Sequence, residues 1–278
     1  MEKHPDPIVL VHGFWHGSWC WSPVVARLAA RGVPSIAVDL EGFGLHARSP
    51  EARWARPFDA AAFATEVSPV ADVTATSAAH VLIDQLRAIG GGAPLTVVVH
   101  SMGGVVGTRA AELAPELFAE LIYLTAFAPV SGTPAMAYIG APENAGEQVG
   151  GLLTADPAVV GALRIDPADP ARRAAVRECF YHDVEPATAD AAIALLSTDG
   201  AMGIPAETFT TTPHRYGRVP HAYLVCTADR AIPAPLQHRF VREIDAVSAR
   251  PTRVVELDTS HSPFLSAPDE LAAAIAAG

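Results

Sequence analysis

The decapeptide at 96–105 constrains this chain more than any other stretch. Thr96-Val97-Val98-Val99 is a β-branched run that stops at His100-Ser101, and Met102-Gly103-Gly104-Val105 then opens a helical pattern. A buried parallel strand that hands over to a helix so abruptly does so through a very tight turn. A serine at such a turn, a nucleophile elbow, is held in a strained conformation with Oγ exposed above the sheet edge. The small residues after it answer a steric need, because strand and helix backbones pass close together there. Taken alone, the decapeptide also fits, less well, an ordinary strand–helix turn that contains a serine. The rest of the chain separates the two readings.

At 278 residues the chain can bury roughly three quarters of its unfolded surface, which implies one core domain carrying an insertion. Half of the residues are apolar, yet no apolar run approaches the ~18 residues of a membrane span. Met1-Glu2-Lys3-His4-Pro5-Asp6-Pro7 contains no apolar signal region, and a cytoplasmic protein is expected. A formal charge of -11 argues against nucleic acid and anionic membranes as partners, since phosphate binding needs clustered Lys and Arg. Cys20, Cys179 and Cys226 are odd in number and widely spaced, so buried free thiols are expected rather than a disulfide framework or a metal site.

Strand character appears at 8–11, 34–39, 121–125, 222–226 and 252–257 besides the elbow strand, with helical spacing at 21–29, 73–89, 103–113 and 236–244 and a terminal helix from about 268. Residues 131–213 are rich in Pro, Ala, Gly and Asp, with helical patches and no strand pattern, and read as a helical cap inserted between core segments 1–130 and 214–278. Residues 45–72 are broken by Pro50, Pro57 and Pro69 and show no clean period; a lid or binding loop and a disordered connection both fit. Elsewhere strands alternate with helices, so the fold class is α/β with a mostly parallel, doubly wound sheet. Active sites in such sheets lie at the carboxyl ends of the strands, and Gly13, Ser101, Asp229 and His261 all fall just beyond such ends.

That convergence points to nucleophilic acyl transfer. A serine hydroxyl is a poor nucleophile until a histidine takes its proton, and an acid must orient and charge-balance the imidazole. His261 is the candidate base and Asp229 the candidate acid. Asp258 is a rival that, three residues before His261, more readily closes a turn. No acid follows the 121–125 strand, where Ala126, Phe127 and Ala128 stand. The order Ser, Asp, His is the one this arrangement takes on a doubly wound sheet. The candidate oxyanion donors are the backbone amides of Phe14 and Met102.

Four pieces of the sequence, in order and spanning nearly the whole chain, resemble a known family. They are Val11-His12-Gly13-Phe14-Trp15-His16-Gly17-Ser18-Trp19-Cys20-Trp21, His100-Ser101-Met102-Gly103-Gly104, Cys226-Thr227-Ala228-Asp229-Arg230-Ala231-Ile232-Pro233, and His261 with Leu265-Ser266-Ala267-Pro268. The chain is similar to the α/β-hydrolases, in the branch of plant methylesterases and α-hydroxynitrile lyases with their bacterial esterase relatives. The resemblance implies a Ser101–Asp229–His261 triad under a cap. Lyase members of that branch are similar to one another in a threonine after the first histidine and a lysine after the catalytic one. Here Gly13 and Ser262 occupy those places, which favours hydrolysis. The dehalogenases and most epoxide hydrolases of the wider fold need an aspartate nucleophile, and Ser101 argues against them. Two departures stand out. Val99 occupies the position two before the serine where glycine is usual, and is tolerated only if the neighbouring helix leaves room. The 45–72 segment is also longer than in the plant enzymes.

The expectation is therefore a serine carboxylic ester hydrolase without cofactor or metal. Its substrate is a small to medium hydrophobic ester, lactone or thioester, and a homodimer is compatible with the sequence. A lyase or other non-hydrolytic enzyme on the same triad, an acyltransferase, and a non-catalytic binding protein are the alternatives. Trp15, His16, Phe127, Met136, Tyr138, Phe180 and Tyr181 are candidate pocket residues, although core or cap packing accounts for most residues of these types. His16 reads equally as a structural hydrogen-bonding group, and His100 as packing beside the elbow strand. No Gly-x-Gly-x-x-Gly follows the first strand, and no Gly-Lys-Ser/Thr occurs.

Overall fold

The computed structural model describes residues 6–130 and 132–277. The first five residues of the stretch read as lacking a signal region, and Ser131 at the start of the expected insertion, lie outside the described residues. Among the described residues eight strands form in chain order: β1 (Ile8–Val11), β2 (Ser35–Val38), β3 (Leu95–His100), β4 (Phe118–Leu124), β5 (Ala162–Arg164), β6 (Asp199–Ala201), β7 (His221–Cys226) and β8 (Arg253–Leu257). Six of them make one sheet in the order β2-β1-β3-β4-β7-β8, every neighbouring pair parallel.

The period-2 alternation of the strands sorts the core into two halves. Val9, Val11, Val97, Val99, Leu121, Tyr123 and Val225 face the helices Ala75–Gly90, Gly103–Leu113 and Ala234–Val247. Leu10, Val98, Ile122, Leu124, Leu224 and Cys226 face Ser22–Ala30 and Pro268–Ala276. A sheet covered on both faces needs apolar residues at nearly every position, which is why β3 and β7 read as continuous apolar runs. Thr74 and Ser77 close a capping box at the start of the Ala75–Gly90 helix, and Gly91, at φ +56°, ends it. All three cysteines are free and buried. Among the described residues no helix is long and apolar enough to cross a membrane.

The insertion departs from the purely helical expectation. β5 and β6 pair antiparallel, with Leu163 opposite Gly200. Three-residue strands are too short to carry a period, and Arg164, Asp199 and Gly200 are poor strand formers. What holds the pair is a buried side-chain contact, Arg164 Nε to Asp199 Oδ1 at 2.8 Å and Nη2 to Oδ2 at 2.6 Å. The 45–72 segment folds as turns at Gly44–His46 and Glu51–Trp54 and a helix at Ala60–Thr65, packed on the insertion. Arg164 donates to the carbonyls of Phe63 and Glu66, the latter at 2.8 Å, and the Ser68 amide donates to Val160 O at 2.8 Å. The 45–72 segment and the expected cap insertion are thus bound to each other, through Arg164 and through the Ser68–Val160 backbone bond.

Candidate functional site

Ser101 follows β3 at φ +53°, one of three positive-φ non-glycine residues among those described. Its surroundings leave no space for larger neighbours. A Cβ on Gly13 would lie 2.5 Å from Ser101 Cβ, and one on Gly103 2.3 Å from His12 O. The Ser101 carbonyl accepts from Gly104 N at 3.0 Å and Phe127 N at 3.1 Å, which fixes the strained turn from both sides. Val99 is accommodated by a change on the facing helix: a Cβ on Gly107 would fall 2.6 Å from Val99 Cγ1. The bulk absent from the helix is the bulk present on the strand, so the turn keeps its close approach without glycine at 99.

Asp229 and His261 lie on the loops after β7 and β8. Asp229 Oδ2 pairs with His261 Nδ1 at 2.7 Å, and both groups are buried. Asp229 Oδ1 accepts the amides of Ala231 at 2.6 Å and Ile232 at 2.9 Å, while Thr125 Oγ1 donates to Oδ2. A carboxylate held by this many donors cannot rotate away from the imidazole. With Nδ1 engaged, Nε2 is the nitrogen of His261 left for chemistry. Asp258 is instead paired with Thr227 Oγ1 at 3.2 Å, as expected of a turn residue.

Three further histidines surround this pair, all buried and all held below the usual imidazole range chiefly by burial. His12 Nε2 accepts the Leu40 amide at 3.1 Å, so Nδ1 carries the proton and donates to Gly13 O at 2.7 Å. His16 Nδ1 donates to Phe14 O at 3.0 Å, leaving Nε2 to accept from Tyr181 OH at 2.7 Å; its pKa is lowered to about 3. His100 Nε2 donates to the carbonyl of His261 at 2.9 Å. These imidazoles are neutral bridges. His12 and His16 shape the Gly13–Phe14 loop, and His100 holds the backbone of His261.

A cavity of about 80 Å³ brings together Ser101, His261, Phe14, Met102, Trp15, Phe127 and Phe180 with apolar groups of the cap. Among the described residues, the amides of Phe14 and Met102 have no protein acceptor, and both residues line the cavity that Ser101 lines. Asn144 and Glu147 are the polar cap residues on the wall. Four expected pocket residues are not on that wall. His16 and Tyr181 are spent on each other. Tyr138 is buried against Phe240, its hydroxyl donating to Glu243. Met136 is 39 % exposed on the surface of the cap. Residue type alone does not reveal which side of a short cap helix faces inward.

Sequence reasoning missed Thr125 and the contacts that residues 180–183 make, of which Phe180 and Tyr181 were expected only as pocket residues. Thr125, at φ +35°, stands at the strand end where an acid is absent, and it supplies the hydroxyl that braces the acid from the next loop. A hydroxyl at that vacant position was the available signal. In the cap segment, Phe180 O accepts from Ser260 Oγ at 3.2 Å, His182 Nε2 donates to Ala228 O at 3.0 Å, and Asp183 Oδ2 accepts the Ser260 amide at 2.8 Å. Three residues of the segment, Phe180, His182 and Asp183, thereby reach the acid loop and the base loop between them. No local pattern announces contacts this distant in sequence.

The arrangement has relatives. Methylesterase 7 of Arabidopsis thaliana is 26% identical over 98% of this chain and 95% of its own length. A pyrethroid hydrolase of Sphingobium wenxiniae is 28% identical over 97% of this chain and 86% of its own. Among solved structures, a pyrethroid hydrolase superposes with a TM-score of 0.75 at 24% identity, covering 98% of this chain and 96% of that one. Polyneuridine aldehyde esterase does so at 0.72 and 20%, covering 98% of each. Residues 8–274 match the family described as the alpha/beta hydrolase family, and with its parallel sheet, serine turn and Asp229–His261 pair the chain belongs to that family.

Proposed function

We propose that this protein is a carboxylic ester hydrolase acting through an acyl-enzyme on Ser101. The observation that carries the reading is the Asp229–His261 pair at 2.7 Å, opening onto the same cavity as a positive-φ serine and two unengaged amides. The relatives named esterase and hydrolase support the ester bond as the target.

In the proposed cycle Ser101 Oγ attacks the ester carbonyl carbon and its proton passes to His261 Nε2. The resulting imidazolium is stabilised by Asp229, which the Ala231 and Ile232 amides keep in place. The carbonyl oxygen becomes an oxyanion between the amides of Phe14 and Met102; one such donor is worth on the order of 100- to 1000-fold in rate. Collapse expels the alcohol, which takes the proton from His261. Water then repeats the sequence and releases the acid. The wall is apolar apart from Asn144 and Glu147, and the Glu147 carboxylate disfavours an anionic group beside it, so the substrate is an uncharged, largely apolar ester. The reaction needs no cofactor.

Stopped-flow release of p-nitrophenol from acetyl and butyryl esters tests the reading. A stoichiometric burst that disappears in Ser101→Ala is expected. Steady hydrolysis that persists in Ser101→Ala at an unchanged rate would overturn it.

A further inference from the structure

Beside the catalytic cavity lies a second, larger hollow. It is a cleft of about 390 Å³ between the core loops that carry Trp19, Asp39 and Leu45 and the end of the cap helix Pro186–Leu195. The two spaces share a single lining residue, Trp15. From the geometry we infer that Trp15 is a specificity-determining partition: it ends the substrate arm on its side of the ester, and removing its bulk joins the outer cleft to the catalytic cavity.

Three observations make Trp15 a fixed wall rather than a loose side chain. Its backbone sits at φ +63°, a region that a bulky residue enters only when its surroundings force it. Its indole N–H donates to Leu163 O at 3.0 Å, and its own carbonyl accepts from Ser197 N at 2.8 Å and Ser197 Oγ at 3.2 Å. Its ring packs on Phe180 with centroids 5.9 Å apart, so it is wedged between the loop bearing the Phe14 amide and the cap. The space before this wall is small. At about 80 Å³ it lies well below the roughly 300–1,000 Å³ of pockets that enclose drug-sized ligands. The space behind it has an apolar side, Leu45, Ala47, Ala194 and Leu195, along which an aliphatic chain can lie, and a polar edge where Asp39 is already occupied by the amides of Ser18 and Leu45 and Arg53 also borders the cleft. The substrate class is therefore an ester whose arm toward Trp15 is short, and the cleft behind is a latent extension for longer aliphatic arms.

The inference rests on the ester hydrolase reading, and the experiment separates the two. Two series are assayed as kcat/KM: p-nitrophenyl esters from C2 to C12 acyl, and butyrate esters from methyl to octyl alcohol. Wild type is expected to fall steeply with length in one series. Trp15→Leu is expected to raise the long-to-short ratio in that series by tenfold or more, and Trp15→Phe, which keeps most of the bulk, by much less. Ala194→Trp, added to Trp15→Leu to fill the outer cleft, is expected to reverse the gain. A loss that is uniform over all lengths in both Trp15 variants would overturn the inference and mark Trp15 as structural only, as would a gain that Ala194→Trp leaves untouched. Absence of hydrolysis of every short ester by wild type would instead count against the ester hydrolase reading.

Discussion

The sheet core and the cap solve the same problem, burying a polypeptide over one cavity, by opposite means. In the core, β1, β3, β4 and β7 are apolar on both faces, and their side chains divide by parity between two helix layers. Local pattern is enough to specify that arrangement. The cap has no such pattern. Beside the apolar side chains it buries, such as Val176, Phe180 and Ile193, it is tied together by one buried guanidinium: Arg164 binds Asp199 across β5 and β6 and reaches the carbonyls of Phe63 and Glu66 in the 45–72 segment. A core built from apolar contacts loses stability in proportion to the volume removed and strands no charge. A cap organised around one charged hub depends on that hub, because a buried charge left without its partner is costly. The proposed catalytic groups sit where the two regimes meet, with Ser101, Asp229 and His261 on core loops and Trp15, Phe180, His182 and Asp183 tying those loops to the inserted segment.

Breaking each side in turn should give different signatures. The largest effect is chemical and confined to the core. Ser101→Ala should reduce kcat on the order of 10⁴- to 10⁶-fold while leaving the denaturation midpoint essentially in place, since no packing is lost; parallel ester assays and urea melts check this. Next is the hub of the cap. Arg164→Ala should cost about 3–5 kcal/mol by stranding Asp199, read as a lower urea midpoint and faster proteolysis within 45–72 and 150–200. The paired replacement Arg164→Met with Asp199→Leu should recover most of that loss.

A smaller effect tests the core's steric match. Gly107→Ala places a Cβ 2.6 Å from Val99 Cγ1 and should cost about 1–3 kcal/mol. Adding Val99→Ala should restore stability, and esterase rates should follow stability in both variants if the Ser101 turn depends on this contact. The smallest effect per step is on pH dependence. Burial holds the pKa of His16 at about 3 and that of His221 at about 4, below the ordinary 6.5. The unfolded chain therefore binds protons that the folded chain refuses. Stability should be complete above pH 6.5 and decline as pH falls toward 4, by up to about 1.4 kcal/mol per pH unit for each histidine. Thermal melts from pH 8 to 4.5 check the sign, and His221→Gln should flatten the curve by one such contribution.

Much of this was legible before any coordinates. The alternation of strands and helices, the serine turn, and Asp229 and His261 beyond their strand ends follow from local signals: β-branched runs, abrupt small residues, and polar groups at loop starts. Other features were not legible, for identifiable reasons. β5 and β6 are too short to show a period. Met136, Tyr138 and Tyr181 have the composition of pocket residues, but the packing of each short cap element turns them elsewhere. Thr125 acts only on a carboxylate 104 positions away. Val99 looked like a departure from the serine-turn pattern until the facing Gly107 was seen.

The sequence by itself determined the order of elements, the parallel sheet and the chemical types offered at its edge, because each of these is encoded within a few neighbouring residues. Only the tertiary structure decided which hydroxyl braces Asp229, which histidines are neutral bridges, how 45–72 joins the cap, and that Trp15 stands between two hollows. Those outcomes depend on contacts between residues far apart in the chain, where a small difference in packing selects the partner and no local pattern records the choice.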